Sequence, residues 1–451
     1  MDANTAWAVG DAGTILHASG GGGSTFYFAE GYTGHGFQEY LCLGNPNQFE
    51  AEVTITYIFQ DGATDQRQLS IPANSRFTAN VNTEAGEDKE VSVMVEADSP
   101  IVAERPMYFQ YMGIWEGGHD VIGATSTSNN WYFAEGYTGY GFEEWICVLN
   151  PGDSIANLIF NFQTQEEGLI QRSGLAVPAH SRGSFKVNDV LGPDYQTSLK
   201  LESDQPVVAE RPMYFSYAHN VSSRGGHCVT GAPSLAKGYY FAEGTTRSGF
   251  DEWLTLQNPN SKSITVTASY QPGVGQGEAV GKSYAIPAGT RLTLYVPDEV
   301  GLEKDVSAHL FSDDLFIAER PMYFSYGYAD LSVQGGHCVI GATSPSFKWF
   351  FAEGYTGSGF NQWLCIQNPS QVESGVVVTY YTQEEGPIET SPFYIPAKSR
   401  ITVMVNDHAG SGYQLSCLVK AYSGSAIIVE RPMYFSYNGW DGGHTVVGCP
   451  P

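Results

Sequence analysis

Apolar and polar residues alternate with a period of two along short stretches of this chain. Val53, Ile55, Tyr57 and Phe59 are interleaved with Thr54 and Thr56; Phe77, Ala79 and Val81 keep the same spacing, as do Val91, Val93 and Val95. That period sends successive side chains to opposite faces of an extended strand. Turn chemistry separates the runs, at Asn45-Pro46, Asp61-Gly62, Pro72-Ala73, Asp98-Ser99-Pro100 and Gly117-Gly118. No stretch carries the i, i+3, i+4 apolar stripe of a helix. Strands are predicted to begin near Phe26, Glu39, Glu52, Arg67, Ser75, Glu90, Ile101 and His119. Eight short strands in roughly 100 residues describe an immunoglobulin-like antiparallel β-sandwich.

The pattern occurs four times. Phe-Ala-Glu-Gly starts at Phe28, Phe133, Phe241 and Phe351; Glu-Arg-Pro-Met-Tyr-Phe starts at Glu104, Glu210, Glu319 and Glu430; Gly-Gly-His ends at His119, His227, His337 and His444. The period is well beyond the roughly 20–50 residues of solenoid repeats, so each copy is predicted to be one small domain. The expected fold class is all-β, four tandem sandwiches at residues 25–125, 131–233, 238–343 and 348–451, strung like beads on short linkers. Residues 1–24 stand apart. Their Trp7-Ala8-Val9-Gly10-Asp11-Ala12-Gly13-Thr14-Ile15-Leu16-His17 run resembles one blade segment of an extracellular β-propeller repeat, and reads as the remnant of a longer parent.

Within each copy the order of short motifs resembles the sensory rhodopsin transducer family. In the second copy these are Ala-Glu-Gly-Tyr at 134–137, Cys-Val-Leu-Asn-Pro-Gly-Asp at 147–153, Val-Pro-Ala at 177–179, Val-Asn-Asp at 187–189 and Pro-Val-Val-Ala-Glu-Arg at 206–211. The resemblance implies a compact soluble β-sandwich, tetramers of single domains, and a ligand-binding role in place of an enzyme activity. This chain departs from the family by fusing four copies and adding Met-Tyr-Phe and Gly-Gly-His, so the fold is what carries over.

Charge narrows the partners. With 22 basic and 48 acidic residues the formal charge is −26, which excludes a phosphate-backbone binder and an anionic membrane surface. No apolar run approaches the ~18 residues of a membrane-spanning helix, so no membrane insertion is expected. Seven cysteines are too few and too odd a number for a disulfide scaffold. Cys42, Cys147 and Cys365 share a strand position that Thr255 takes in the third copy, as a small buried site would allow; Cys228 and Cys338, next to the histidines, are expected to be exposed.

In so charge-poor a chain the recurring ionisable residues are the candidate chemistry: Glu30, Arg105 and His119; Glu135, Arg211 and His227; Glu243, Arg320 and His337; Glu353, Arg431 and His444, with Arg76, Arg182, Arg291, Arg400 and the glutamates that open the second motif recurring beside them. Either arginine, glutamate and histidine line a pocket for a carboxylate or sugar hydroxyls, or they form a structural ion-pair network; the second reading is favoured because structural pairs commonly imitate sites. Gly-Gly-His reads as a tight turn. No metal is expected there, since the following residue changes from Asp120 to Cys228, Cys338 and Thr445. The loop before Gly-Gly-His varies and carries Trp115, Tyr328 and Trp440, which either contact a ligand or pack against the next copy.

No nucleophile elbow, P-loop or zinc-protease helix occurs, and four near-identical sites suit avidity better than catalysis. The sequence therefore points to a non-enzymatic extracellular or cell-surface protein without cofactor. It would be an adhesion or carbohydrate-binding stalk that meets a polysaccharide or a surface protein. The alternatives are a purely structural spacer or surface-layer component, and a hydrolase with a Glu/Arg/His pocket in each repeat.

Overall fold

The computed structural model describes residues 5–9, 15–19 and 22–451. β1 (Thr5–Val9) and β2 (Ile15–Ser19) pair antiparallel; the rest of the propeller-like segment lies outside the described residues. The first copy then runs β3 (Ser24–Phe28), β4 (Phe37–Asn45), β5 (Ala51–Phe59), β6 (Thr64–Ile71), β7 (Ser75–Asn80), α1 (Val81–Ala85), β8 (Val91–Ala97), β9 (Val102–Tyr111) and β10 (Trp115–Ile122). The eight expected strands form close to their expected starts, because alternation fixes which residues face the core.

The strands make two antiparallel sheets, ordered β3-β8-β5-β6 and β10-β9-β4-β7. Between them Phe26, Phe28, Leu41, Leu43, Val53, Ile55, Tyr57, Val91, Val93 and Val95 form one buried cluster. In the second and third copies one long strand, Thr197–Ala218 or Val306–Tyr328, passes through both sheets where the first copy uses β8 and β9. Asn45 ties the turn after β4 to the sheet: its Nδ2 donates to the carbonyls of Phe49, Ile71 and Pro72. Asn150, Asn258 and Asn368 repeat this cage. The short helices after β7 and its counterparts have four or five residues, too few to leave a helical period in the sequence.

The copies are not separate beads. β10 packs on Ser222–Thr230 of the second copy and on Trp440–Val447 of the fourth; Leu331–Ile340 of the third copy packs between those two strands. The four Gly-Gly-His strands thus meet around one axis, and each carries its own four-stranded sheet outward like a propeller blade.

Gly-Gly-His is not a turn either. Its glycines lie inside strands, and none has a positive φ. They are glycines because backbones approach there. A Cβ on Gly117 would fall 3.5 Å from the Gly225 Cα, one on Gly225 3.4 Å from that of Gly335, one on Gly335 3.4 Å from that of Gly442, and one on Gly442 3.0 Å from that of Gly117. Each second glycine seats a phenylalanine of the preceding copy: Phe435 on Gly118, Phe109 on Gly226, Phe215 on Gly336 and Phe324 on Gly443. Those rings meet a tyrosine of the following copy edge-to-face at 4.9–5.1 Å, a favourable quadrupole arrangement.

Candidate functional site

The recurrent ionisable residues lie at the interfaces of this ring. Arg105 sits on β9; its guanidinium is fully buried, with Nη2 2.8 Å from Glu30 Oε2 of its own copy and Nη1 2.8 Å from Glu210 Oε2 of the next. Arg211 reaches Glu319 of the third copy at 2.9 Å, and Arg320 reaches Glu430 of the fourth at 2.7 Å. Arg431 closes the circle on Glu104 of the first copy at 3.1 Å, and also pairs with Asp120. Each accepting glutamate also takes a backbone N–H from the preceding copy: Glu30 N to Glu210 (2.9 Å), Ala134 N to Glu319 (2.7 Å), Ala242 N to Glu430 (2.7 Å) and Ala352 N to Glu104 (2.9 Å). Every copy therefore offers arginine on one side and glutamate on the other. The sequence-derived set Glu30, Arg105, His119 and its three counterparts is brought together and buried throughout, in a network that crosses between copies.

The histidines lie beside the glutamates without a formed hydrogen bond, with His337 Nε2 3.5 Å from Glu243 Oε1 and His119 Nε2 3.8 Å from Glu30 Oε2. Both ring nitrogens of His119, His227, His337 and His444 are buried without a hydrogen-bond partner. Burial, reinforced by a neighbouring arginine, holds His119, His227 and His444 well below the usual imidazole range, so these rings are neutral at pH 7. Cys228 and Cys338 are buried, contrary to the exposed position expected, because the strand that carries them is the one enclosed at the axis. All seven cysteines are free.

A second buried carboxyl is not evident from the sequence. Glu39, Glu144 and Glu252 each have one carboxyl oxygen without a hydrogen-bond partner, and burial pushes each up to about 8. The fourth copy places Gln362 there, an isostere of a protonated glutamic acid, with its Oε1 accepting the Tyr355 N–H as Glu39 accepts that of Tyr32. A folded value above the ordinary 4.5 means that the folded chain keeps protons the unfolded chain releases. The resulting stability is fully present below about pH 4.5 and is lost as pH rises towards about 8. Replacing all three by glutamine is expected to flatten the fall in urea midpoint between about pH 5 and 9. It should also raise the urea midpoint at about pH 8, since holding one carboxyl protonated costs about 1.4 kcal/mol for every pH unit above its ordinary range. A variant with the same slope as the parent would show that these carboxyls are ionised in the fold.

Between copies, beside the ion-pair network, the interfaces open into clefts. The cleft between copies 2 and 3 holds about 480 Å³, with Tyr137, Tyr140, Phe142 and Tyr217 from one side and Trp253 and Tyr323 from the other. Tyr217 and Tyr323 stack at 3.7 Å, and Tyr140 stands 99% exposed at the lip. Glu135 and Arg291 lie at its base, where Thr255 Oγ1 donates to Glu135 at 2.9 Å. Arg291 Nε and Thr293 Oγ1 are buried there with no partner. Equivalent clefts of about 350 Å³ and 300 Å³ lie between copies 3 and 4 and between copies 4 and 1.

The loop aromatics belong to these same seams. Trp115 is buried between copies 1 and 2, stacked on Tyr111 and Tyr214, with Nε1 donating to Ser216 Oγ at 2.9 Å. Trp440 packs in the cluster of Tyr108 and Phe435, and Tyr328 meets Trp363 edge-to-face at 5.1 Å while staying 44% exposed. The cleft aromatics are not evident from the sequence, although it carries a recurrent signal: the aromatic position Tyr40, Trp145, Trp253, Trp363 and the Gly-Tyr-Thr-Gly that follows Ala-Glu in three copies.

A model described as a family of unknown function (DUF5719) matches residues 20–212. No curated protein matches the chain. Among solved structures, Thermotoga maritima 1070 shares 20% identity over 24% of this chain and 94% of that one, at a TM-score of 0.21. A CBM22-1–CBM22-2 tandem domain of Paenibacillus barcinonensis Xyn10C shares 10% over 47% of this chain and 79% of that one, at 0.13. The Anabaena sensory rhodopsin transducer shares 25% over 19% of this chain and 95% of that one, at 0.17, so the chain is similar to that protein over a stretch of about one copy.

Proposed function

We propose that this chain is a non-enzymatic binding protein, outside the cell or on its surface, that takes saccharide rings of a polysaccharide or glycosylated surface protein into the clefts between its copies. Each copy serves in this reading as an immunoglobulin-like sandwich that supplies a wall of one or two clefts. The ion-pair network is assigned to structure. In this reading the binder works as a compact head in place of an extended stalk.

One observation carries the proposal: the cleft between copies 2 and 3 joins aromatic faces to the unpartnered donors Arg291 Nε and Thr293 Oγ1. Its volume is in the range of small-molecule sites, roughly 300–1,000 Å³. Aromatic faces stack on the apolar side of a sugar ring, while buried unpartnered donors gain from its hydroxyls. Weak sites repeated around one ring give avidity for a repeating polymer.

The full chain should bind at least one class of oligosaccharide on a glycan array. Titration with that oligosaccharide should then be about fivefold weaker for Tyr140→Ala and for Thr293→Val, from the loss of a stacking face or of one hydrogen bond at roughly 1 kcal/mol. Tyr140 is fully exposed, so the first variant keeps its fold. A chain that binds no glycan, or binding that neither substitution weakens, would favour a purely structural role.

A further inference from the structure

Successive residues of a strand face opposite sides, and in the Gly-Gly-His strands those sides belong to different neighbours. His119 faces the second copy while Asp120 pairs with Arg431 of the fourth. Each interface therefore takes its glutamate and histidine from one copy and the residue after Gly-Gly-His from the next. The four sets are Glu30, His119, Cys228; Glu135, His227, Cys338; Glu243, His337, Thr445; and Glu353, His444, Asp120. The change of residue after the histidine, which argues in the sequence against a metal in every copy, thus alters one interface at a time.

Three of the four residues are engaged at close range. Thr445 donates to Glu243 at 2.9 Å, Cys338 donates to Glu319 at 3.2 Å, and Asp120 pairs with Arg431. Between copies 1 and 2 the residue is held more loosely: the Cys228 thiol donates to Glu210 Oε2 at 3.9 Å and accepts from Arg105 Nη2 at 3.7 Å. One ring nitrogen of His119, one carboxylate oxygen of Glu30 and the sulfur of Cys228 all lie within 4.8 Å of one another, and all three residues are buried. His119 Nε2 is 3.8 Å from Glu30 Oε2, close to the edge of about 3.4 Å that a tetrahedron with zinc–ligand bonds of about 2.1 Å requires. Neither ring nitrogen has a partner, and Arg105 Nη2, 2.8 Å from that carboxylate oxygen, is misaligned for a hydrogen bond.

We propose that the interface between copies 1 and 2 holds one divalent cation of the zinc class on Glu30, His119 and Cys228. Thiolate, imidazole and carboxylate together select such an ion over magnesium or calcium. Binding exchanges the Cys228 thiol proton for the metal and releases that proton to solvent. Charge then balances: Glu30 and Glu210 against Arg105 leave one negative charge, which the cation together with the new thiolate cancels. The ion clamps two copies together, and the enclosed position means that it enters as the chain folds. The site is independent of the saccharide clefts.

The test is refolding of the full chain under reducing conditions with zinc, then with cobalt(II), followed by removal of free metal. One zinc per chain and a thiolate-to-cobalt charge-transfer band are expected. Both should be lost in Cys228→Thr and kept in Cys338→Thr. Threonine is the residue at the equivalent position 445, so both variants should fold, as circular dichroism would show. His119→Gln is a second variant expected to lose the metal with all cysteines present. A refolded parent chain without metal, or a Cys228→Thr variant that keeps its metal and band, overturns the proposal.

Discussion

Replacing Arg431 by alanine is expected to open the ring. Its guanidinium is fully buried against Glu104 and Asp120 of the first copy and Glu353 of its own, so its removal leaves three enclosed carboxyls without their cation. Breaking a buried pair from one side typically costs about 3–5 kcal/mol. The place of the break in the chain decides how that loss shows. Copies 1 and 2, 2 and 3, and 3 and 4 are joined by the chain itself; copies 4 and 1 meet only through their surfaces. A lower urea midpoint should therefore come with a larger radius of gyration in X-ray scattering, and with faster hydrogen exchange at the amides of Ala352 and Glu353, which donate to Glu104. Arg211→Ala should lose comparable stability without expansion, because the other three interfaces keep the circle shut. Lysine should not rescue position 431, since a point charge cannot serve three carboxyls as a planar fork does. An unchanged midpoint and unchanged scattering for Arg431→Ala would contradict a ring sealed at this seam.

The axis should be the least tolerant place for added atoms. A Cβ at Gly442 would fall 2.8 Å from the Phe435 ring and 3.0 Å from the Gly117 Cα, with the Gly118 nitrogen at 3.2 Å. Two of these neighbours are backbone of another copy, which cannot turn aside as a side chain can. Gly442→Val is expected to destabilise by at least the about 1–3 kcal/mol typical of overpacking, and a drop in thermal midpoint measures it. Gly327→Ala is the matched comparison. It too is a strand glycine without positive φ, yet nothing lies within 4 Å of its Cβ position. That variant should be neutral or slightly stabilised, since alanine restricts the unfolded chain more. Equal effects at the two positions would show that the axis is looser than these distances imply.

The range of each interaction determines whether the sequence discloses it. Val53, Ile55 and Tyr57 face one core because alternation is a local property, and the strands can be read from it directly. Gly117 and Gly118 are small for a non-local reason, the approach of Gly225, Gly442 and Phe435 from other copies. A lone glycine pair looks the same in a turn and at an axis, so a turn is the natural inference. Arg105 and Glu210 signal their importance by recurring four times in a charge-poor chain, but a repeated residue does not say which copy supplies its partner. Cys228 reads as exposed for the same reason: the burial of its strand depends on whether the ring closes. The clefts stay hidden because Trp253 and Tyr217 come from different copies, and neither looks unusual in its own strand.

The interfaces carry one further consequence. Arginine on one side and glutamate on the other make each contact heterologous, so two copies alone can never satisfy one another completely. Such contacts either close after a fixed number of steps or continue without limit. Four steps close here, and Arg431 finds Glu104 of the same chain. A chain deprived of its last copy would end in a bare arginine face and begin with a bare glutamate face, complementary ends that belong to a head-to-tail polymer. The fourth copy is therefore the terminator of a filament that the first three would otherwise start.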